Sequence, residues 1–125
     1  MHAPLALFPD PDEGLVRRIQ QARSARARYL NHDLFADPAW DMLLELYACE
    51  LGHQSIDVSS LCAAIDAPTS TALRWLRRLE EDGLASREVD RSDRRRYWVT
   101  LTPRGLSSLR GYFSAISFAP GEALP

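Results

Sequence analysis

Lysine is absent from the 125-residue sequence, so each of its 15 basic side chains is an arginine. Genome composition alone produces such a bias, and it carries little weight. Cysteine is scarce: Cys49 and Cys62 stand alone, with no CxxC or other ligand spacing. Two isolated thiols in a chain without an export signal read as reduced, and a metal site has no sequence support. No apolar run approaches the ~20 residues that span a bilayer, which excludes a helical membrane segment. The first 14 residues hold Pro4, Pro9, Pro11 and three acids but no arginine, so the basic n-region of a signal peptide is missing. A cytoplasmic chain is expected, with residues 1–14 as a disordered lead-in.

What is present suits one domain. Hydrophobic residues make up 46% and charged residues 26% of a length that supports a single core. The net charge of −2 argues at first against a polyanionic partner. Its distribution argues the other way: residues 1–66 hold five arginines against ten acids, and residues 67–125 hold ten against seven. Positive charge is concentrated in the second half.

Leu15, Ile19, Ala22, Tyr29 and Leu30 follow helical spacing with no Pro or Gly between them, predicting a long first helix over 15–35. Its other face carries Arg17, Arg18, Gln21, Arg23 and Arg28, leaving a narrow apolar stripe suited to a partner chain. Asp37 and Pro38 mark a second start, a capping carboxylate followed by proline at the first helical position. That helix is predicted to end at Gly52. Trp40, Leu43, Leu44, Tyr47 and Leu51 form its core stripe, and Met42, Leu46 and Cys49 add apolar surface beside it. After Ile56, read as a short extended segment, Asp57 caps a brief third helix that buries Val58, Leu61, Cys62 and Ile65. The turn at Asp66, Ala67 and Pro68 opens a fourth helix with Ala72, Trp75, Leu76 and Leu79 inward and Gly83 as its stop.

Two short helices joined by a tight turn make a helix-turn-helix. Beyond Gly83, residues 84–89 and 97–101 read as strands, the second with Tyr97, Val99 and Leu101 at period two. They flank a polar tip over 90–96, and Thr102 with Pro103 starts a last helix ending near Phe113. The expected fold class is mainly α with a small β-ribbon, a winged helix-turn-helix with an added N-terminal helix. One domain covers 15–117, with helix 15–35 for dimerisation, and residues 118–125 form a tail.

Such a fold presents the N-terminal turns of its second helix to base edges in the major groove. The outward positions there are Thr69, Ser70, Thr71, Leu73 and Arg74. Short hydroxyls bond bases or phosphates, Leu73 suits a thymine methyl, and Arg74 forks to guanine or holds phosphate. Arg77 and Arg78, farther along, suit backbone phosphates. For any one of these residues the competing role is a helix cap or a solvated face. The tip, Asp90-Arg91-Ser92-Asp93-Arg94-Arg95-Arg96, packs four arginines into seven residues, enough to place guanidinium groups in a minor groove. Asp93 lies two residues from Arg95 and can hold that side chain in a rigid pose, which makes Arg95, with Arg94 beside it, the expected inserted residue. The expected partner is double-stranded DNA.

On these residues the chain resembles the MarR-type (multiple antibiotic resistance regulator) transcription factors. The likeness lies within residues 57–105: Leu61, the stretch Ser70-Thr71-Ala72-Leu73-Arg74-Trp75-Leu76, then Leu79-Glu80-Glu81-Asp82-Gly83-Leu84, the wing Asp93-Arg94-Arg95, and Leu101-Thr102 with Gly105. The resemblance implies that Asp93 supports Arg95 in the minor groove and that two chains form a homodimer through N- and C-terminal helices. It also implies a small aromatic effector bound between the dimer helices and the DNA-binding lobe. The chain departs from the family in its short region after Thr102 and at Asp66, which stands where a turn glycine is usual; aspartate tolerates left-handed geometry there.

No catalytic group is expected. His2, His32 and His53 show no metal-ligand spacing and no nucleophile partner, and no cofactor is implied. Cys49 and Cys62 sit on apolar faces without a neighbouring cation in sequence and read as buried structural thiols, not oxidation sensors. Trp40, Tyr47 and Trp75 read as core before pocket, while Trp98 is open between covering the last helix and meeting a partner. The functional expectation is a homodimeric DNA-binding transcriptional regulator, not an enzyme. The alternative is a winged helix recruited as a protein–protein interaction module.

Overall fold

The computed structural model describes residues 13–25 and 37–115; the expectations for Tyr29, Leu30, His2 and His32, for the chain before residue 13 and for the tail lie outside the described residues. The element order is α1 (Glu13–Ala25), α2 (Pro38–Leu51), β1 (Ile56–Asp57), α3 (Val58–Ala63), α4 (Thr69–Glu81), β2 (Ala85–Val89), β3 (Tyr97–Leu101) and α5 (Pro103–Ala115).

Helix α2 is the centre. Met42, Leu44, Leu46, Tyr47, Ala48 and Cys49 are all buried, and at about 100° per residue they point around most of its circumference. The helices α1, α3 and α4 and the strand β3 pack on it from different sides. Burying a side chain the size of leucine or methionine is worth about 1.5–3 kcal/mol, so this enclosed helix contributes much of the core. Tyr47 stacks on Phe113 of α5 with ring centroids 5.5 Å apart, and Trp40 meets Tyr112 edge-on at 5.1 Å.

Helix α2 ends at Gly52 as expected, while its start differs in detail. Asp37 makes no side-chain cap; its carboxylate lies 3.5 Å from Arg23 instead. At the other end the left-handed residue is His53, with φ 54°, and the N–H groups of His53 and Gln54 donate to the carbonyls of Glu50 and Cys49. Gly52 leaves room for the Glu13 carboxylate, which a Cβ at that position would meet at 2.5 Å.

Helix α1 includes Glu13 and Gly14, inside the expected lead-in, and the Glu13 carboxylate accepts from Arg17 one turn on at 3.2 Å. Its buried residues are Val16 and Ile19, and Ala22 is exposed. Arg17 and Arg23, expected on the solvent side, turn to α2: Arg17 donates to Glu45 at 2.7 Å and Arg23 to Asp41 at 2.6 Å. Val16, Ile19 and Arg23 lie at i, i+3 and i+7, and the long arginine stems carry their charges past the apolar contact to the carboxylates beyond. The described part of this helix therefore uses its apolar stripe within its own chain.

Strand β3 is central in an antiparallel sheet of order β1-β3-β2. The expected hairpin runs from Ala85 opposite Leu101 to Val89 opposite Tyr97, and the two-residue β1 adds a third strand with Ile56 opposite Val99. Val99 and Leu101 are buried, but Tyr97, at the same period, is 45% exposed at the outer end of the hairpin with its partner Val89.

The hairpin is fastened to α4 at a glycine turn. Gly83 takes φ 75°, and the N–H groups of Gly83 and Leu84 return to the carbonyls of Glu80 and Leu79. Leu84 belongs to this turn, so β2 starts one residue later than expected. Thr102 closes the junction: its N–H donates to the Leu84 carbonyl at 3.0 Å, and its hydroxyl donates to the Gly83 carbonyl at 2.6 Å. The same hydroxyl accepts from the Gly105 N–H at 3.0 Å and caps α5. Gly105 passes so close to the Leu84 carbonyl that no Cβ fits between them.

The turn at Asp66 needs no left-handed residue. Among the described non-glycine residues only His53 has positive φ, and the Ala67 N–H donates to the Ile65 carbonyl at 2.9 Å to close that turn. Gly105→Ala is expected to destabilise the fold by about 1–3 kcal/mol, since the obstructing atom is backbone. Gly111→Ala, with open space at its Cβ position, is expected to stabilise it by up to about 1 kcal/mol through helix propensity. Urea denaturation of the two variants checks the opposite signs.

Candidate nucleic-acid interface

The helix-turn-helix consists of α3, the turn 64–68 and α4. Asp57 starts α3 by accepting from the Ser60 N–H at 2.8 Å. The bonds from Ser60, with the Arg96 guanidinium next, hold the Asp57 carboxyl below the usual carboxylate range. Helix α4 starts on Pro68 without a side-chain cap, so the cap role weighed for Thr69 and Ser70 is not the one they take. Both are exposed, as are Arg74, Arg77 and Arg78, and Thr71 is half-buried. Leu73, expected outward, is half-buried against the core because its neighbour Ala72 is fully inward and position 73 falls on the boundary.

The two halves of α4 differ in charge. No acid lies in its first turn. In its last turns Arg78 bonds Asp82 at 3.2 Å, and Arg87 of β2 forks onto Glu80 at 2.7 and 2.9 Å. Glu80, Glu81 and Asp82 thus gather at the C-terminal end of α4, away from the hydroxyls of its first turn.

The wing tip is ordered by its own carboxylates. Asp90 Oδ1 accepts from both the N–H and the hydroxyl of Ser92, at 2.8 and 2.7 Å. The Asp90 N–H donates to the Arg96 carbonyl at 2.8 Å, and the Arg96 N–H donates to the Asp93 carbonyl at 2.9 Å. Asp93 Oδ1 accepts from the backbone N–H of Arg95 at 3.1 Å and from its Nε at 3.3 Å, the contact anticipated from their spacing. Held at its root in this way, the Arg95 side chain is still 93% exposed. Arg91 and Arg94 are exposed beside it.

Two arginines that sequence reasoning did not single out proved structural. Arg87 ties β2 to α4 through Glu80, and Arg96 donates from Nε to Asp57 at 2.9 Å. The Arg96 guanidinium also lies 4.8 Å above the ring of Trp98, which is half-buried beneath it. Neither pairing leaves a local signal: its members lie seven and 39 residues apart.

No protein-family model matches the sequence. A curated relative, a transcriptional regulatory protein for the hcr operon of Thauera aromatica, is 39% identical over 57 residues, 46% of this chain and 34% of that protein. The match thus spans about a third of the relative's length. The crystal structure of S. aureus MepR in its DNA-binding conformation is 26% identical, with a TM-score of 0.57, covering 82% of this chain and 73% of that one. The crystal structure of MarR is 27% identical, with a TM-score of 0.54, covering 82% of this chain and 71% of that one. The fold is the winged helix of these MarR-type structures.

In this winged helix the cysteines stand apart from the candidate interface. Burial, reinforced by the Glu45 carboxylate 3.5 Å away, pushes the Cys49 thiol up to about 11. Burial also raises Cys62, although Arg87 lies close enough in space to oppose it. No group of three His, Cys, Asp or Glu side chains among the described residues is placed to hold a metal ion, and no described helix is long and apolar enough to cross a membrane. Both thiols are expected to react with iodoacetamide at neutral pH at least roughly tenfold more slowly in the folded protein than after unfolding in urea. Mass spectrometry of the alkylated peptides checks this site by site.

Proposed function

We propose that the chain is a cytoplasmic DNA-binding transcriptional regulator, not an enzyme, that acts as a homodimer with α4 in the major groove and the wing in the adjacent minor groove. The observation that carries this reading is Arg95, fixed at its root by Asp93 and 93% exposed at its head. A guanidinium held in this way loses little rotamer freedom on entering a narrow groove, where the negative potential is enhanced. S. aureus MepR, which shares the fold, has been crystallised in complex with DNA, and the Thauera relative is a transcriptional regulatory protein.

In this reading Thr69, Ser70 and Arg74 meet base edges, with Thr71 and Leu73 at the margin of the contact. Arg77 and Arg94 hold phosphates, and Arg78 exchanges Asp82 for a phosphate on binding. A symmetric pair of chains spaces two α4 helices for the two halves of a pseudo-palindrome. The exposed Tyr112, edge-on to Trp40, is the aromatic surface that a small aromatic effector would meet.

Gel-shift titration against genomic fragments at two salt concentrations tests the proposal. Affinity is expected to fall steeply with salt. Folded Arg95→Ala is expected to bind more weakly by about 1–3 kcal/mol, and Arg77→Ala to reduce the salt slope by about 1 per chain. Light scattering is expected to give twice the chain mass of 14.1 kDa. Binding that ignores both salt and the loss of Arg95 points instead to a protein-interaction module.

A further inference from the structure

We propose that Arg96 is a positioning residue: it fixes the wing against the helix-turn-helix and so sets the separation between α4 and the wing tip before DNA arrives. The inference rests on the regulator reading and adds a residue with a different task from Arg94 and Arg95. On the β3 side, the wing's pairing to the helix-turn-helix is only the two-residue strand β1, Ile56 opposite Val99 and Asp57 opposite Trp98. So short a ladder resists hinge motion weakly. Arg96 lies where the tip returns to β3, and its backbone is bound on both sides within the tip, to Asp90 and to Asp93.

Its side chain leaves the tip and crosses to the helix-turn-helix. Nε donates to Asp57 Oδ2 at 2.9 Å, while Asp57 Oδ1 accepts from the Ser60 N–H that starts α3. One carboxylate thereby holds both the first turn of α3 and the foot of the wing. Asp90 Oδ2 lies 3.9 Å from the same guanidinium, and the Trp98 ring lies 4.8 Å beneath it. Both carboxylates are only 12% exposed, which strengthens the charge-assisted contact relative to one in open solvent. Two carboxylates and a ring engage Arg96, whose side chain is half exposed, whereas Arg95 next to it projects almost wholly into water. The open groove between the wing and α3, lined by Val58, Ser59, Arg95 and Tyr97, is bridged by this contact.

A clamp and a phosphate contact predict opposite results at Asp57. Asp57→Asn keeps the helix cap, since asparagine caps as well as aspartate. If Arg96 held a phosphate, this substitution would free the guanidinium, remove a negative charge and tighten binding, and Arg96→Ala would lower the salt slope by about 1 per chain. As a clamp, Asp57→Asn and Arg96→Ala each weaken binding roughly tenfold, the double variant is no worse than either, and the salt slope is unchanged. Hydrogen exchange on the free protein gives a second reading: both variants are expected to speed exchange across residues 90–97 and leave α4 unchanged. Tighter binding by Asp57→Asn, additive losses, or unchanged exchange at the wing overturns the proposal. Wild-type protein that binds no DNA refutes the regulator reading alone, and the exchange comparison then decides whether Arg96 fixes the wing.

Discussion

The joining of the helix-turn-helix to its wing depends on one knot of hydrogen bonds, where the Thr102 hydroxyl donates to the Gly83 carbonyl and accepts from the Gly105 N–H. Four elements meet within it: the end of α4, the start of β2, the end of β3 and the start of α5. Gly83 supplies the left-handed turn, and Gly105 lets α5 begin directly against the Leu84 carbonyl. With the turn and the cap sharing one threonine, the hairpin cannot rotate about the end of α4 without breaking the first turn of α5. The knot thus fixes the foot of the hairpin on α4, while the Arg96–Asp57 contact holds its outer end to the helix-turn-helix.

Charge is divided along the same lines. The arginine excess of the second half splits into side chains that face acids and side chains that face water. Arg87 and Arg96 are bound to Glu80 and Asp57 and hold parts of the fold together, while Arg74, Arg77, Arg91 and Arg94 are exposed. Arg95 belongs to both groups, paired to Asp93 at its root and open at its head. A chain with a net charge of −2 can thus present a local positive surface, because its acids are placed where they shape that surface without covering its leading edge.

Much of this was legible in the sequence, and the reasons are local. The helix starts at Pro38 and Val58, the stop at Gly83, the period-two strand ending at Leu101 and the short reach from Asp93 to Arg95 each lie within a few residues, where capping, turn chemistry and periodicity act. What was not legible lay across the chain. The face of α1 was misjudged because Arg17 and Arg23 read as solvent-facing until Glu45 and Asp41 are known to lie opposite. Leu73 was placed outward although it sits at the margin of the buried face. The role of Arg96 depends on Asp57 and on the pairing of β1 with β3: the extended pair at Ile56 was legible, but nothing local showed which strand it joins. At Asp66 the usual glycine suggested a left-handed turn that this chain does not make.

The order of the three strands has one more consequence. β2 is an outer strand of the sheet, a row of backbone donors and acceptors with no neighbouring strand on one side among the described residues. It is five residues long and carries Arg87 and Glu88 in its middle, with the tip arginines close behind. Shortness and charge of this kind discourage a foreign strand from extending the sheet. The free edge of the hairpin is thereby kept from pairing with other strands.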